Sequence, residues 1–368
     1  MNVTLAALVR RWRDAAPGRV LYGGRYGMAA LSTGDWLPLS AGTAADLERW
    51  LVRVESRPGM ALGGGRDRLP GVEAGAAFER LASAHIHTLF LIGGSGTMSA
   101  GRAVAQQAAR FGMRLHVVGV PKTIDNDIPG TDVSPGFPSA ARFLIDLVRD
   151  VGADVTSMRG YEDVVLIEVM GRHAGWLAAS TLLARGRPED APHLVLLPEV
   201  PVDAAAFVEH VRQQHAKAGL CVVTVAEGVR DPGGTFLAEL SAPRGVERDP
   251  SGQVILGRSG GPLPYLAALV RDRLALRCRL VRPDVLQRCS SAHVTAFDRG
   301  IASQVGTAAV DLVERAMDST PFMVGLRRCP GEWKTEPVPL DQVRGERTLP
   351  PELVADPERL RATLEGLT

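Results

Sequence analysis

The chain has 368 residues, 45% hydrophobic and 23% charged, ordinary globular proportions in a length that exceeds one small core and predicts two domains. Its net charge of +1 gives no electrostatic ground for nucleic acid or a membrane surface as partner, which leaves small-molecule chemistry as the default. Four cysteines without a CxxC pair give neither a disulfide framework nor a zinc site and fit a reducing cytosol, and no apolar run approaches the ~18 residues of a spanning helix.

Val3, Leu5, Leu8, Val9 and Trp12 recur near helical spacing, so the chain opens on a helix where an alternating α/β chain would place a strand. Arginines interleave with those apolar positions as in a transit peptide, whereas a secretory signal would carry its apolar centre after the basic residues. Arg19 to Tyr22 predicts a short strand, and 44–54 a helix. Gly63-Gly64-Gly65-Arg66 is a flexible loop that either offers Arg66 to an anion or serves only as a linker. A helix over 72–84 leads to an apolar strand, 87–92, which runs straight into Gly93-Gly94-Ser95-Gly96-Thr97-Met98 and a helix from about Met98 to Phe111. The glycines let backbone amides turn inward and the helix presents its positive end, which suits phosphate at Gly94, Ser95, Gly96 and Thr97. This is only half of a dinucleotide fingerprint: Met98-Ser99 stands where the third glycine should come, and no acidic residue ends the following strand, so a nicotinamide reading ranks below phosphate.

Leu115 to Val120 reads as a buried parallel strand, and Pro121 to Asp132 follows at its carboxyl end, where open α/β sheets place their ligands. Two prolines and Gly130 exclude a helix, and an extended backbone aims Asp125 and Asp127 to the same side, with Lys122 close by. Two readings stand here. One is a solvated acidic turn; the other is a carboxylate pair for proton abstraction or a metal, with a lysine for a transferring phosphoryl group.

Beyond a helix over 138–151, the strand 163–169 ends in Met170-Gly171-Arg172-His173-Ala174-Gly175-Trp176. Arg172 either meets phosphate oxygens with its planar fork or ties down a helix end, while His173 and Trp176 are expected to pack. Strands 193–197 and 220–226 flank a helix over 203–218, and the second ends in Glu227-Gly228, a carboxylate at a strand edge or a solvated side chain. An irregular region, 231–261, precedes a helix over 265–276; Arg279, Arg282 and Arg288 then lie close enough in sequence to build an anion pocket. An amphipathic segment, 294–317, and a strand, 322–326, lead to a tail from Pro337 onward that alternates Pro, Glu, Asp and Arg and is expected to lie over the surface.

In order and spacing, PKTIDND at 121–127, MGRHAGW at 170–176 and Ala226-Glu227-Gly228 resemble the motifs of the phosphofructokinase superfamily, and the resemblance spans nearly the whole chain. Tyr22 to Met28, Leu286-Gln287-Arg288-Cys289 and Leu197-Pro198-Glu199-Val200 look most like a bacterial branch usually labelled pyrophosphate-dependent. The resemblance implies an α/β fold of two doubly wound three-layer domains with the active site in the cleft. The donor domain would take 1–138 plus about 287–336, the sugar-phosphate domain 139–286 and a surface tail 337–368. It also implies a cytoplasmic, glycolytic 6-phosphofructokinase that moves a phosphoryl group from ATP or pyrophosphate to the 1-hydroxyl of fructose 6-phosphate. Asp125 would be the general base, with Lys122 and Arg172 catalytic beside it. Thr123, Ile124, Asp127, Met170, Gly171, Glu227, Arg279, Arg282 and Arg288 would bind substrate, and Gly94, Ser95, Gly96 and Thr97 the donor. Magnesium would sit near Ser95 and Asp127, and the protein would be a homo-oligomer of two or four chains.

Four departures qualify the match. The family opens on a strand and a Gly-rich phosphate loop, whereas this chain begins at Met1-Asn2, the end of that loop; ~15 in-frame residues upstream are expected to encode the rest. The alternative is a catalytically impaired homologue that binds sugar phosphate or an active partner subunit. Ser95 stands where the family carries a magnesium-binding Asp, or Asn in the resembling branch, and a hydroxyl is the poorer ligand. Gly96 leaves space for the α-phosphate of ATP while Lys122 suits either donor, a combination that leans to ATP. Asp163 replaces an arginine with which some tetrameric relatives reach a neighbour's substrate, so no such contact is expected here.

Overall fold

The computed structural model describes residues 1–39, 42–65, 74–242, 245, 247–248, 254, 256, 260–315 and 320–368. Arg66 and its proposed anion contact lie outside the described residues. The strands, in chain order, are β1 (Tyr22–Gly24), β2 (Trp36–Pro38), β3 (Thr88–Gly93), β4 (His116–Pro121), β5 (Val164–Val169), β6 (Leu194–Leu196), β7 (Cys221–Ala226), β8 (Cys278–Val281), β9 (Phe322–Cys329) and β10 (Glu332–Pro339). The chain forms two compact units. Unit 1 takes Met1–Thr123, Ile128–Gly136 and Val294–Glu346; unit 2 takes Ile124–Asp127, Phe137–His293 and Arg347–Thr368.

Unit 1 is built on a sheet of order β10-β9-β4-β3. The apolar runs of β3 and β4 pair in parallel, with Gly93 opposite Pro121, and the helix Ser95–Arg110 makes the crossover between them. β9 joins β4 in parallel, and β10 closes the far edge antiparallel to β9. β10 was not legible from the sequence because its alternation, EWKTEPVP, is interrupted by Pro337 and Pro339, which an edge strand tolerates and a central one does not. The helix Asn2–Ala15 buries Leu5, Leu8, Val9 and Trp12 along one stripe. The expected strand at 19–22 is instead the hairpin of β1 and β2.

Unit 2 holds an all-parallel sheet of order β6-β7-β5-β8. All six residues of β5 and of β7 are buried, as central strands covered on both faces require. Helices Phe137–Ser157, Ala204–Ala218 and Leu263–Leu274 belong to this unit. Among the described residues, no helix is long and apolar enough to cross a membrane.

The expected surface tail is corrected. Its first part is β10 and belongs to unit 1, and from Arg347 it belongs to unit 2. Val338, Leu340, Leu349, Leu353, Leu360, Leu364 and Leu367 are all buried. Leu360 and Leu364 sit at helical spacing on Pro357–Glu365, a core stripe that the surrounding charge concealed, and Leu367 follows just past the helix end. The unit boundaries likewise fall at 136/137 and 293/294, and the four residues 124–127 belong to unit 2 although both flanking segments belong to unit 1.

Candidate active site

In unit 1, β3 ends at Gly93 and the helix begins at Ser95, three residues earlier than the sequence pattern suggested. Gly94 is the N-cap with extended backbone and no side-chain cap, and its carbonyl accepts from the Thr97 and Met98 amides at 2.9 and 3.1 Å. No acidic residue lies in the first turn, so the positive end of the helix is not offset there. Ser95 and Thr97 are half-buried and Gly96 is exposed. A Cβ placed on Gly96 would meet nothing within 4 Å, whereas one on Gly94 would touch Thr123 at 3.6 Å and the Lys122 carbonyl oxygen at 3.8 Å. The Lys122 amide donates to the Gly93 carbonyl at 2.9 Å, so this turn and the start of the central loop are one piece of backbone structure. A cavity of about 1060 Å³ runs along β3 and is lined in part by Met1, Gly94, Thr97 and Lys122; its walls are otherwise mostly apolar.

In unit 2, burial alternates through the central loop: Ile124 and Asn126 are buried, while Asp125 and Asp127 are half-buried. The two carboxylates thus share a burial pattern, but the backbone between them is not extended as expected. Asn126 has φ of 55°, a left-handed turn that asparagine tolerates.

The loops after β5 and β7 continue the pairing of their strands. The Glu227 amide donates to Val169 O at 2.8 Å and the Gly228 amide to Gly171 O at 3.2 Å. A Cβ on Gly228 would lie 1.9 Å from the carbonyl oxygen of Arg172, so only glycine lets the MGR backbone pass here. The Arg172 guanidinium donates to the Val254 carbonyl. Burial raises the pKa of Glu227, and the charge of Arg172, a hydrogen bond from the Gly171 amide and the charge of Arg282 oppose that rise. Gly171, Arg172, Glu227 and Arg282 therefore come together. Met170 joins them through its amide, which donates to Gln287 Oε1 at 2.9 Å; Gln287 is 4% exposed and immediately precedes the exposed Arg288.

The expected cluster of three arginines is corrected. Arg279 is exposed and pairs with Glu162, ahead of β5, whereas Arg282 pairs with Glu168 toward the carboxyl end of that strand. The reason is the rise along β8: three residues of strand separate the two guanidinium anchors by ~10 Å. Sequence proximity mistook a strand for a pocket.

Glu168 is a site residue that the sequence reading missed. It is 7% exposed, and Arg282 Nε and Nη2 donate to its Oε1 at 3.3 and 3.1 Å. Burial pushes its pKa up to about 7 in spite of Arg282, with Glu227 and Asp284 adding to the rise. The signal was present as the one charged residue in VVLIEV. Asp163 is occupied within its own chain: it accepts from the Arg277 amide and Nε, each at 2.9 Å, and this pairing holds its pKa down at about 2.

No group of three or more His, Cys, Asp or Glu side chains suited to a metal occurs among the described residues. Asp125 and Asp127 stand two residues apart in the central loop, while its third carboxylate, Asp132, pairs with Arg327; magnesium commonly takes one or two carboxylates and completes its shell with substrate phosphates and water.

The chain is similar to proteins of known activity. The phosphofructokinase family profile matches residues 1–313. A pyrophosphate–fructose 6-phosphate 1-phosphotransferase of Xanthomonas campestris pv. campestris is 40% identical over 309 residues, covering 82% of this chain and 72% of that protein. A sulfofructose kinase of Alkalicoccus urumqiensis is 34% identical over 324 residues, covering 86% and 81%. The crystal structure of a pyrophosphate-dependent phosphofructokinase from Nitrosospira multiformis superimposes with a TM-score of 0.84 at 27% identity, over 99% of this chain and 87% of that one. The chain belongs to the phosphofructokinase family of phosphotransferases.

Proposed function

We propose that the protein transfers a phosphoryl group from pyrophosphate to the 1-hydroxyl of fructose 6-phosphate, giving fructose 1,6-bisphosphate. The observation that carries this reading is the composition of unit 2. Asp125, half-buried in the loop after β4, shares one compact unit with Arg172, Glu227 and Arg282, the groups that suit a phosphorylated sugar. Asp125 takes the proton of the attacking hydroxyl, and Asp127 adds charge beside it. Arg172 steadies the migrating phosphoryl group, and Glu227 accepts hydrogen bonds from sugar hydroxyls. Arg282 and Arg288 bind the 6-phosphate. Lys122, in unit 1, neutralises the departing phosphate next to the Gly94–Thr97 amides. This division follows the general rule that phosphoryl transfer is catalysed by positioning and charge neutralisation. Magnesium, held by the donor's phosphates and Asp127, would supply further neutralisation of negative charge.

The sequence lean to ATP is not supported by the relatives, because the protein 40% identical to this chain is named for pyrophosphate. One observation still favours ATP as a second reading: the space around Gly96 is open. A coupled assay with fructose 6-phosphate, run with pyrophosphate and with ATP, separates the two. Turnover with pyrophosphate at a kcat/KM at least ~10-fold above that with ATP supports the proposal, the reverse ratio transfers it to ATP, and no turnover with either rejects it.

A further inference from the structure

We propose that residues 347–349 form a clamp that fixes the Asp125–Asp127 loop and the Arg172–Trp176 loop, making Arg347, Trp176 and Glu199 positioning residues for phosphoryl transfer. The inference rests on the catalytic reading of Asp125 given above.

All the contacts lie within unit 2. The backbone amide of Arg347 donates to the Asp127 carbonyl at 2.7 Å. The carbonyl of the same residue accepts from the Trp176 indole Nε1–H at 2.9 Å. Its guanidinium lies over the Trp176 ring, 4.2 Å from the centroid, while Trp176 is 2% exposed. Two residues on, the Leu349 amide donates to Glu199 Oε1 at 2.8 Å, and the same oxygen accepts from the Gly175 amide at 2.9 Å. Glu199 Oε2 is buried with no hydrogen-bond partner among the described residues, so the carboxylate is committed to these two amides. A single short stretch of chain thus touches both loops, directly at Asp127 and Trp176 and through Glu199 at Gly175.

Two features separate this from ordinary packing of a carboxyl-terminal helix. The first is where the bonds end. Two of them end on loop backbone, at Asp127 and Gly175, beside Asp125 and Arg172, the third holds the buried indole of Trp176, and the helices that follow bury their own leucines, Leu353, Leu360 and Leu364. The second is chain connectivity. Residues 124–127 belong to unit 2 while residues 123 and 128 belong to unit 1, so tertiary contacts such as the Arg347–Asp127 bond hold those four residues there. The cation lies over a buried indole and is itself half-buried, which favours the contact over one made at an exposed site. A shift of ~1 Å in a base that must meet a hydroxyl within hydrogen-bond reach costs about two orders of magnitude in rate.

The test uses Trp176→Phe, which keeps a ring under Arg347 but removes the indole donor, and Arg347→Ala, with Arg347→Lys as the conservative variant. Expected is a fall in kcat of roughly tenfold or more in the first two, with KM for fructose 6-phosphate within about twofold, and recovery of most of kcat in Arg347→Lys. Hydrogen exchange of the Arg347 amide, read on each folded variant, should quicken in Trp176→Phe and Arg347→Ala. Wild-type kcat in both variants would overturn the clamp, and so would unchanged exchange at that amide. If the wild-type protein shows no turnover of fructose 6-phosphate, the functional reading fails while the exchange result still decides the clamp.

Discussion

Arg282 reaches Glu168 through Nη2 at 3.1 Å, and the second oxygen of that carboxylate faces Gly261 so closely that a Cβ there would lie 1.9 Å from it. The pair is lopsided: Oε1 holds the guanidinium, while Oε2 is buried with no hydrogen-bond partner among the described residues. An ion pair so placed contributes little net stability, yet it holds an arginine at the carboxyl end of the sheet where the sugar's phosphate is proposed to bind.

The first prediction concerns pH. Burial raises the pKa of Glu168 from 4.5 to about 7, so the folded state binds its proton more tightly than the unfolded state does. The stability that this proton confers is fully present below pH 4.5 and is lost as pH rises through about 7, a change of about 3 kcal/mol from 1.36 kcal/mol per unit. Glu168→Gln should flatten the decline measured by urea unfolding between those limits, leaving a residue from Glu227, whose pKa is raised in the same direction. A variant with the wild-type slope would contradict the burial of this group.

The second prediction concerns Gly228. An alanine Cβ would sit 1.9 Å from Arg172 O and 2.5 Å from its carbonyl carbon, and neither is a flexible side-chain end. Gly228→Ala should therefore displace the MGR loop, destabilise unit 2 by about 1–3 kcal/mol and lower turnover by more than tenfold. Gly300→Ala is the control. It lies on the exposed face of the helix Ala296–Arg315 with nothing within 4 Å of its added Cβ, and it should leave activity unchanged and the melting temperature equal or higher.

The third prediction concerns the donor. Because the space around Gly96 is open, Gly96→Asp should fold normally and place a carboxylate beside the helix amino end. It should lower kcat/KM for ATP through steric and charge conflict while leaving pyrophosphate turnover within a few-fold. Unaltered ATP kinetics would show that the donor does not pass this point.

The strands of both sheets that carry the candidate loops were legible because they read as continuous apolar runs, half-buried at Leu89–Ile92 and buried at Val117–Val120 and Val164–Ile167. The edges were not. β8 has four residues, and β10 carries prolines and charges that serve an edge and imitate a loop. The loops themselves were visible as motifs after apolar strands, but partnerships across sequence were not. Arg279 and Arg282 looked like neighbours until β8 sent them to Glu162 and Glu168. Gln287 was named only as part of a resembling stretch and given no role, yet its side chain holds the Met170 amide. Arg347 stood in a stretch read as surface, because its role depends on a backbone amide and carbonyl that no side-chain pattern announces.

The most direct measurement is the turnover of Asp125→Ser against wild type in the coupled fructose 6-phosphate assay, with sugar-phosphate binding followed separately. A general base predicts a fall in kcat of about 10²–10⁴-fold with binding of fructose 6-phosphate nearly unchanged. Near-normal turnover in that variant would contradict the assignment of Asp125.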